Sequence, residues 1–376
     1  MIPLRYVLRS LGRRKLRTIM TVLGIALVVA VYSAMSSVVE TMVQKFKSTG
    51  SPDEVVVVQS GAMTIDFSRI DRGSLTYVQT LDGLARDDDR PLVSPELCLG
   101  SIVRVRGNDT DVSVRGVTDI APAVYRQVRL VDKGNWPGPG HAASVGRALA
   151  SRLSLQPGDS IELEGEKWTV VGLIDSGARV YDHEIWVDLD ELAAATSRKT
   201  YSGYTLRASD AGAVSALMET VNEGRRFPLS AQLAADFYAR TGAMAIFMAY
   251  IGTFISLVIA VGAVFGGMNT MYSAVAGRRH EIGVLRSLGF RRSAVLTSFL
   301  GESLAISLVG GVIGLVFGLG LSMVSVDLPM LPTGRVSLGL TQVVWSLTLA
   351  LAVGVAGGLL PALQASRLAV VDALRQ

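Results

Sequence analysis

Four long stretches of this 376-residue chain are almost free of charged side chains, and they constrain the fold more than any other feature. Residues 18–39, 241–277 and 336–366 contain no Asp, Glu, Lys or Arg, and Glu302 is the single charged residue between Arg292 and Asp327. A helix needs roughly 20 apolar residues to cross the ~30 Å hydrocarbon core of a bilayer, so each stretch is long enough to span a membrane. The sequence therefore predicts four transmembrane helices, at about 19–40, 243–268, 295–322 and 342–361.

Two of these stretches allow another interpretation. The stretch 241–277 is long enough for two short spans, but it contains no proline, and a second span would invert the topology of everything after it. We therefore predict one long helix that projects beyond the bilayer. The first stretch follows a basic "RRKLR" segment, as a signal peptide would. Its uncharged run exceeds the usual 7–15-residue apolar region of a signal peptide, which favours a membrane span.

Composition supports a membrane protein. The chain is 49% hydrophobic and 18% charged, whereas soluble domains carry about 25% charged residues. A single cysteine, Cys98, excludes an intrachain disulfide and a cysteine metal cluster, and we expect it to be a small buried side chain.

The distribution of Lys and Arg predicts the orientation, because these residues accumulate on the cytoplasmic side of membrane spans. Residues 45–240 carry more acidic than basic residues, so the basic sequence pI reflects the span edges and not a nucleic-acid-binding domain. We predict that both termini and the 269–294 loop are cytoplasmic. The basic residues at the span edges are Arg5, Arg9, Arg13, Arg14, Lys15, Arg17, Arg278, Arg279, Arg286, Arg291, Arg292, Arg367 and Arg375.

The predicted fold class is an α-helical membrane protein with four transmembrane helices and a large α+β extracytoplasmic domain inserted between helices 1 and 2. The N-terminal segment has apolar and basic residues at helical spacing, which suits either an interfacial amphipathic helix or a simple basic flank. The predicted parts are an N-terminal cytoplasmic helix (1–18), the first span and stalk (19–44), the outer domain (45–240), the second span (241–268), a cytoplasmic coupling segment (269–294), the third span (295–322), a short external loop (323–341), the fourth span (342–361) and a cytoplasmic tail (362–376).

The outer domain has mixed strand and helix patterns. "DEVVVVQS" predicts a buried strand, "SIVRVRG" and "DVSVRGV" predict paired strands, and "AGAVSALMETVNEG" predicts a helix that ends on glycine. "EIWVDLDELAAATS" predicts a strand that runs into a helix, and the segment 143–175 predicts a short helix, a Pro-Gly-Asp turn and two strands.

The outer domain shows no motif typical of catalysis or metal binding. The triplet "DHE" at 182–184 is a weak metal candidate, since neighbouring residues in a strand point to opposite faces. No H-E-x-x-H or G-x-S-x-G pattern occurs. We therefore predict no catalytic, cofactor or metal residues and no enzyme activity in this chain.

Small residues recur at four-residue spacing in all four spans. Such faces let helix backbones approach closely in a membrane. Packing between the chain's own spans and a dimer seam both explain the pattern, and both alternatives remain open here. The residues are Ala26, Ala30, Ala34, Gly262, Gly266, Gly310, Gly314, Gly318, Gly354 and Gly358.

The segment "GGMNTMYSAVAGRRHEIGVLRSLGFRR" at 266–292 resembles the signature of MacB/FtsX-like permeases, membrane subunits of one class of ABC transporter. "PALQASRLAVVDALR" at the C-terminus is similar to the closing pattern of that family, although Val371 stands where the family often has proline. "VGRALASRLSLQPGDSIELEGEKWTVVGL" also looks like the family's outer core. The residues that carry the resemblance are Asn269, Met271, Ser273, Val275, Arg278, Glu281, Ile282, Gly283, Arg286, Leu288, Gly289, Pro361, Ala365, Ala373, Leu374 and Arg375.

The resemblance implies a permease of a bacterial inner membrane that docks an ABC ATPase dimer through a short cytoplasmic helix. A topology anchor alone would explain the arginines of this segment but not Glu281 or the helical pattern. The chain has no Gly-Lys pair and hence no phosphate loop, so ATP and Mg²⁺ are expected in a partner ATPase. The expected docking residues are Arg278, Arg279, Glu281, Ile282, Gly283, Leu285 and Arg286.

The resemblance also implies mechanotransmission, in which ATP-driven movements pass through the spans to the outer domain. We expect export or extraction of a lipid, lipoprotein or other amphipathic molecule. The alternative is a regulator that transports nothing and switches an extracellular partner such as a cell-wall hydrolase. Expected partners are a second copy of the chain or a paralogous permease and the lipid membrane, with a periplasmic adaptor or substrate-carrier protein as a further candidate.

Overall fold

The computed structural model describes residues 15–131, 134–177, 179–323 and 339–368. Its helices are α1 (Lys15–Lys47), α2 (Ser74–Gln79), α3 (Ala121–Val124), α4 (Arg147–Leu153), α5 (Leu189–Ala195), α6 (Ala211–Glu223), α7 (Ala234–Ala276), α8 (Arg279–Ser287), α9 (Arg292–Met323) and α10 (Leu340–Arg367). Its strands are β1 (Glu54–Gln59), β2 (Ile70–Asp71), β3 (Arg86–Asp87), β4 (Arg90–Pro91), β5 (Val93–Val105), β6 (Asn108–Val117), β7 (Arg129–Val131), β8 (Ala142–Gly146), β9 (Ser160–Leu163), β10 (Glu166–Asp175), β11 (Glu184–Asp188), β12 (Thr200–Tyr201), β13 (Gly203–Arg207) and β14 (Leu229–Leu233).

Four helices of the described residues are long and apolar enough to cross a membrane, as the sequence predicted. They include the segments Thr18–Lys47, Tyr250–Ala276, Arg292–Gly320 and Leu340–Arg367. Helix α7 runs without a break, which confirms one long helix in place of two short spans. Residues 1–14 of the predicted N-terminal helix, most of the predicted external loop 323–341, and the closing residues Val371, Ala373, Leu374 and Arg375 lie outside the described residues.

The chain divides into two units. One is an α/β unit over Thr41–Ile246, which in chain order lies between the first and second candidate membrane helices. The other is a helical unit that contains α8, α9, α10 and the larger parts of α1 and α7.

A ten-stranded mixed sheet organises the α/β unit, in the order β14-β1-β13-β5-β6-β11-β8-β10-β7, with β9 paired to β10 and β5. Most neighbours are antiparallel, and the pairs β6–β11 and β8–β10 are parallel. The β5–β6 pairing, the buried β1 and the strand-to-helix passage from β11 to α5 confirm the sequence predictions.

Side chains that alternate along β1 belong to two separate cores. Val55 and Val57 pack in one cluster that also contains Trp168, and Val56 and Val58 pack in another that contains Trp186. Since successive strand residues point to opposite faces, this uncharged valine run is what a strand covered on both faces requires. Cys98 is buried in the second cluster as expected, and burial raises the pKa of its thiol well above its ordinary value.

The helical unit packs through small residues. The hydroxyl of Ser303 on α9 donates to the Gly354 carbonyl of α10 at 2.6 Å, and the Thr21 and Thr270 hydroxyls of α1 and α7 lie 2.7 Å apart. A small cavity lies among the same helices, with Ile25 and Gly267 among its lining residues. The hydroxyls at this level of the bundle thus have partners within the unit.

Candidate docking site

Helix α8 connects α7 to α9 and has clear end signals. Glu281 lies in its first turn and Arg286 in its last, which complements the helix dipole. After it, Gly289 has φ +90°, and the amide groups of Gly289 and Phe290 donate to the carbonyls of Arg286 and Leu285. This is a Schellman ending, which needs a left-handed residue at the position that glycine occupies. The sequence "RRHEIGVLRSLG" therefore specifies a short helix with a sharp stop.

The inner face of α8 packs into its own chain. Ile282 is 3% exposed and belongs to an apolar cluster with Met271 and Val275 of α7, Val295 and Phe299 of α9, and Ala362 and Ala365 of α10. Gly283 is buried as well. Ile282 was expected to be a docking residue, but in this structure its side chain covers the ends of three neighbouring helices of its own chain, and its role in docking stays a prediction.

Arg278, at the start of α8, also has its partner within the chain. Its Nη1 donates to Glu302 Oε2 at 3.0 Å and its Nη2 donates to Oε1 at 3.4 Å. The side chains are 21% and 6% exposed, so Arg278 is half-buried in this structure, and its role as a docking residue stays a prediction. The same contact accounts for the one carboxylate in the third span, which sequence reasoning left unexplained.

The exposed residues of α8 and of its C-terminal end form what we call the docking surface: Arg279, His280, Glu281, Val284 and Leu288. Leu288 is 71% exposed and Val284 39%. Leu285 and Arg286 are half-buried. Arg279 and Glu281 were predicted for this surface, whereas Val284 and Leu288 were missed. Their spacing from Glu281, at three and seven residues, places all three on one helix face and could have identified them.

The glycines of α9 pack against α1. A Cβ added at Gly314 would lie 2.5 Å from the Ala26 carbonyl oxygen and 2.7 Å from Val29 Cβ, and one at Gly310 would lie 3.0 Å from Ile25 Cβ. A Cβ at Gly318 would clash with the Ser33 hydroxyl and would lie 3.0 Å from the Ala30 carbonyl oxygen. In this unit the predicted stripes on spans one and three meet each other.

The glycines of α10 pack against α9, where Gly354 faces Ser307 and Gly358 faces Ser303. The pair on α7 differs. A Cβ at Gly262 or Gly266 would have no heavy atom within 4 Å among the described residues. Ala34 is half-buried. The small residues of α9 and α10 thus pack within the chain, and a dimer seam stays a prediction.

The triplet at 182–184 separates into three different contacts. Asp182 accepts from the amide and hydroxyl of Ser176, and the Lys45 ammonium donates to His183 Nε2 at 2.9 Å. Glu184 binds Arg115. Burial, followed by the nearby Lys45 charge, lowers the pKa of His183 to about 3. Among the residues that the structure describes, no group of His, Cys, Asp and Glu is arranged to hold a metal ion.

Two buried arginines organise the core of the α/β unit. Arg115 is 3% exposed and forms ion pairs with Glu96 and with Glu184, the latter through Nε at 2.7 Å. Arg207, also 3% exposed, pairs with Asp53 and with Glu54. Sequence reasoning missed both arginines. Three of their four acidic partners lie far from the arginine along the chain, so no local sequence pattern indicates these ion pairs.

Comparison with known proteins finds family profiles that match residues in both units of the chain. Residues 18–223 match the family profile described as MacB-like periplasmic core domain, and residues 253–370 match the profile described as FtsX-like permease C-terminal. The chain is 27% identical over 399 residues to the "Macrolide export ATP-binding/permease protein MacB" of Hyphomonas neptunium, an alignment that covers 97% of this chain and 59% of that protein.

A second relative matches over nearly its whole length. It is the "Uncharacterized ABC transporter permease YknZ" of Bacillus subtilis, 24% identical over 394 residues, which cover 99% of this chain and 98% of that protein. The crystal structure of the extracellular domain of YknZ superposes on 48% of this chain and 99% of its own, with 14% identity and a TM-score of 0.38.

Proposed function

Because the chain belongs to the ABC transporter permeases with a MacB-like periplasmic core domain and an FtsX-like permease domain, we propose that it couples ATP hydrolysis by a separate ATPase to movements of its α/β unit. ATP and Mg²⁺ would bind to that ATPase. Within this chain, the family assignment rests on the profile that covers residues 18–223.

The docking surface is the observation that carries the proposal. Helix α8 is short, is joined directly to two candidate membrane helices, and exposes apolar Leu288 and Val284 beside charged Glu281. Exposed apolar side chains flanked by charges are typical of a surface that a protein partner covers. Because the flanks of this helix are rich in arginine, we propose that α8 faces the cytoplasm and that the α/β unit lies outside.

The closed interior of the helical unit supports mechanotransmission over passage through the spans. Glycine–backbone contacts bring α1, α9 and α10 together, and the hydroxyls beside the small cavity are bonded to each other or to backbone. The described part of the third span contains one carboxylate, Glu302, and it is paired with Arg278. Ion pathways across membranes usually contain more ionisable side chains than this.

We therefore propose that the α/β unit exports or extracts a lipid, lipoprotein or other amphipathic molecule at the membrane surface. A second permease copy, or a paralogue, would match the two-fold symmetry of an ATPase dimer. The open face of α7 at Gly262 and Gly266 is available for such a contact. A periplasmic adaptor or carrier protein would be a further partner.

Affinity purification tests the ATPase partner. The full chain is purified from host membranes in mild detergent after chemical crosslinking, and co-purifying proteins are identified by mass spectrometry. We expect an ATPase with a G-x-x-x-x-G-K-[ST] motif. Wild-type protein that recovers no such ATPase would refute the proposal.

A pair of matched variants tests the docking surface. Glu281→Ala with Leu288→Ser removes a charged and an apolar contact, and we expect ATPase recovery to fall on the order of tenfold. Ile102→Ser changes another exposed aliphatic residue, 57% exposed on β5, and should leave recovery unchanged. Equal recovery with all three proteins would place the contact elsewhere.

A further inference from the structure

The ion pair between Arg278 and Glu302 places a charged side chain inside a candidate membrane span. Glu302 is ten residues after Arg292, so it lies about 15 Å along the candidate span from that end at 1.5 Å per residue. Ionisable side chains inside membrane segments are costly unless they are paired. Arg278 donates to both carboxylate oxygens of Glu302, which fixes the relative orientation of the two groups.

A second contact lies one turn further along α8. The amide of Ile282 donates to the Arg278 carbonyl at 3.0 Å, so the two residues stand at helical spacing. Ile282 inserts among α7, α9 and α10. The inner face of α8 thus has a polar attachment to α9 and an apolar attachment to three helices, while Glu281, Val284 and Leu288 remain exposed on the other side.

The attachment continues beyond Glu302. The next residue, Ser303, donates its hydroxyl to the Gly354 carbonyl of α10 at 2.6 Å, and Gly358 lies against the same serine. Further along α9, Gly310 and Gly314 touch α1. A displacement of α8 that Glu302 transmits to α9 would therefore also move α10 and α1, because these helices are tightly packed against α9.

We propose that Arg278 and Glu302 are positioning residues that clamp the docking helix to the span bundle, so that a protein docked on α8 moves α9 and α10 with it. This inference rests on the proposed function of α8 as the docking helix. The competing reading is that Arg278 only neutralises Glu302. In that case a neutral glutamine at 302 needs no partner, and α8 keeps its place through Ile282 alone.

Site-directed spin labelling separates the two readings. A nitroxide is attached at Val284→Cys in the full chain in lipid vesicles, and its mobility is measured by electron paramagnetic resonance. The native Cys98 is buried, and unsubstituted protein gives the background signal. Loss of a charge-assisted pair corresponds to on the order of a tenfold rise in the population of detached helix. We therefore expect a new mobile component in Arg278→Gln and in Glu302→Gln.

Three further variants make the result specific. Arg279→Gln removes the adjacent, exposed arginine and should leave the spectrum unchanged. Arg278→Glu combined with Glu302→Arg restores an ion pair with reversed polarity and should restore most of the immobile component, which a loss of general packing would not do. Arg278→Lys keeps the charge without the two-pronged geometry and should give an intermediate spectrum.

An unchanged spectrum in Glu302→Gln, or a reversed pair no closer to wild type than either single variant, would overturn the clamp. Circular dichroism and the elution volume in detergent establish that each variant is folded. Since no ATPase is present in this measurement, its failure differs from failure of the proposed function, which is the absence of an ATPase from the wild-type purification.

Discussion

The α/β unit and the helical unit bury charge in different ways. In the α/β unit, Arg115 lies in the core against Glu96 and Glu184, and Tyr125 and Trp186 donate further hydrogen bonds to these carboxylates. In the helical unit, Arg278 at the start of a helix forms an ion pair with Glu302. Several of the closest contacts between helices there involve glycine, alanine and serine.

The difference follows from the solvent in which each unit has to fold. Large aromatic and aliphatic side chains fill the two cores of the α/β unit, and burying them from water is favourable enough to offset the desolvation of an internal arginine cluster. Lipid tails are as apolar as leucine, so helices in a membrane gain little from apolar burial and rely on close backbone approach. The first unit therefore depends on large side chains and paired charges in its core, and the second depends more on close approach of helices at small residues.

Truncation of the buried Arg115 side chain is the variant with the largest expected effect, and it tests this difference between the two units. Arg115→Ala would leave Glu96 and Glu184 buried without their cation, and removal of one partner from a buried ion pair typically costs about 3–5 kcal/mol. We expect the free energy of unfolding of the α/β unit to fall by about that amount. Denaturant titration of the full chain in detergent, followed by tryptophan fluorescence, measures it, since Trp186 donates to Glu184.

An exposed ion pair of the same unit provides the control. Arg90 and Asp119 pair with side chains 63% and 72% exposed, and such surface pairs contribute little. Arg90→Ala should leave the denaturation midpoint nearly unchanged. Equal shifts in the two variants would mean that the buried cluster has no special role in the stability of the core.

The helical unit should respond instead to added volume. In Gly314→Val the new Cβ would lie 2.5 Å from the Ala26 carbonyl oxygen, which backbone atoms cannot accommodate without moving α1 from α9. Overpacking typically costs about 1–3 kcal/mol, and we expect a value near the upper end here. Gly320→Val lies on the same helix, and its Cβ would have no heavy atom within 4 Å among the residues that the structure describes, so we expect no comparable effect.

Thermal unfolding in detergent, with loss of helical circular dichroism at a fixed heating rate, measures both glycine variants. A lower midpoint for Gly314→Val alone supports small-residue packing as the basis of this unit. If Gly320→Val lowers the midpoint as much, the effect comes from β-branching within the helix and not from the α1–α9 contact.

The sequence predicted the membrane helices, the strand pairs of 101–117 and the unbroken α7 because these depend on local composition and periodicity. It missed the first part of β5, where Pro95 lies inside a buried strand opposite Tyr204 and argues locally against a strand. It also predicted that Ile282 contacts a partner protein. The helical pattern shows that a residue is apolar, but only the fold shows that its own chain covers it. Arg115 and Glu184 are 69 residues apart, so no sequence window contains their pairing.

A pH experiment tests the smallest expected effect in this comparison, because His183 is a half-buried titratable group of the α/β unit with Lys45, Asp182 and Arg152 as its charged neighbours. Burial and the Lys45 charge lower the pKa of His183 from 6.5 to about 3. Between these two pH values the unfolded chain binds a proton that the folded chain does not, so the stability contribution is full above pH 6.5 and decreases as the pH falls. At pH 5, which is 1.5 units below the ordinary value, we expect wild type to have lost about 2 kcal/mol relative to His183→Gln, whose amide can still accept from Lys45. Denaturant titrations of both proteins at pH 7.5 and pH 5 measure this difference. The same pH dependence in both proteins would show that the His183 side chain is solvated in the folded chain.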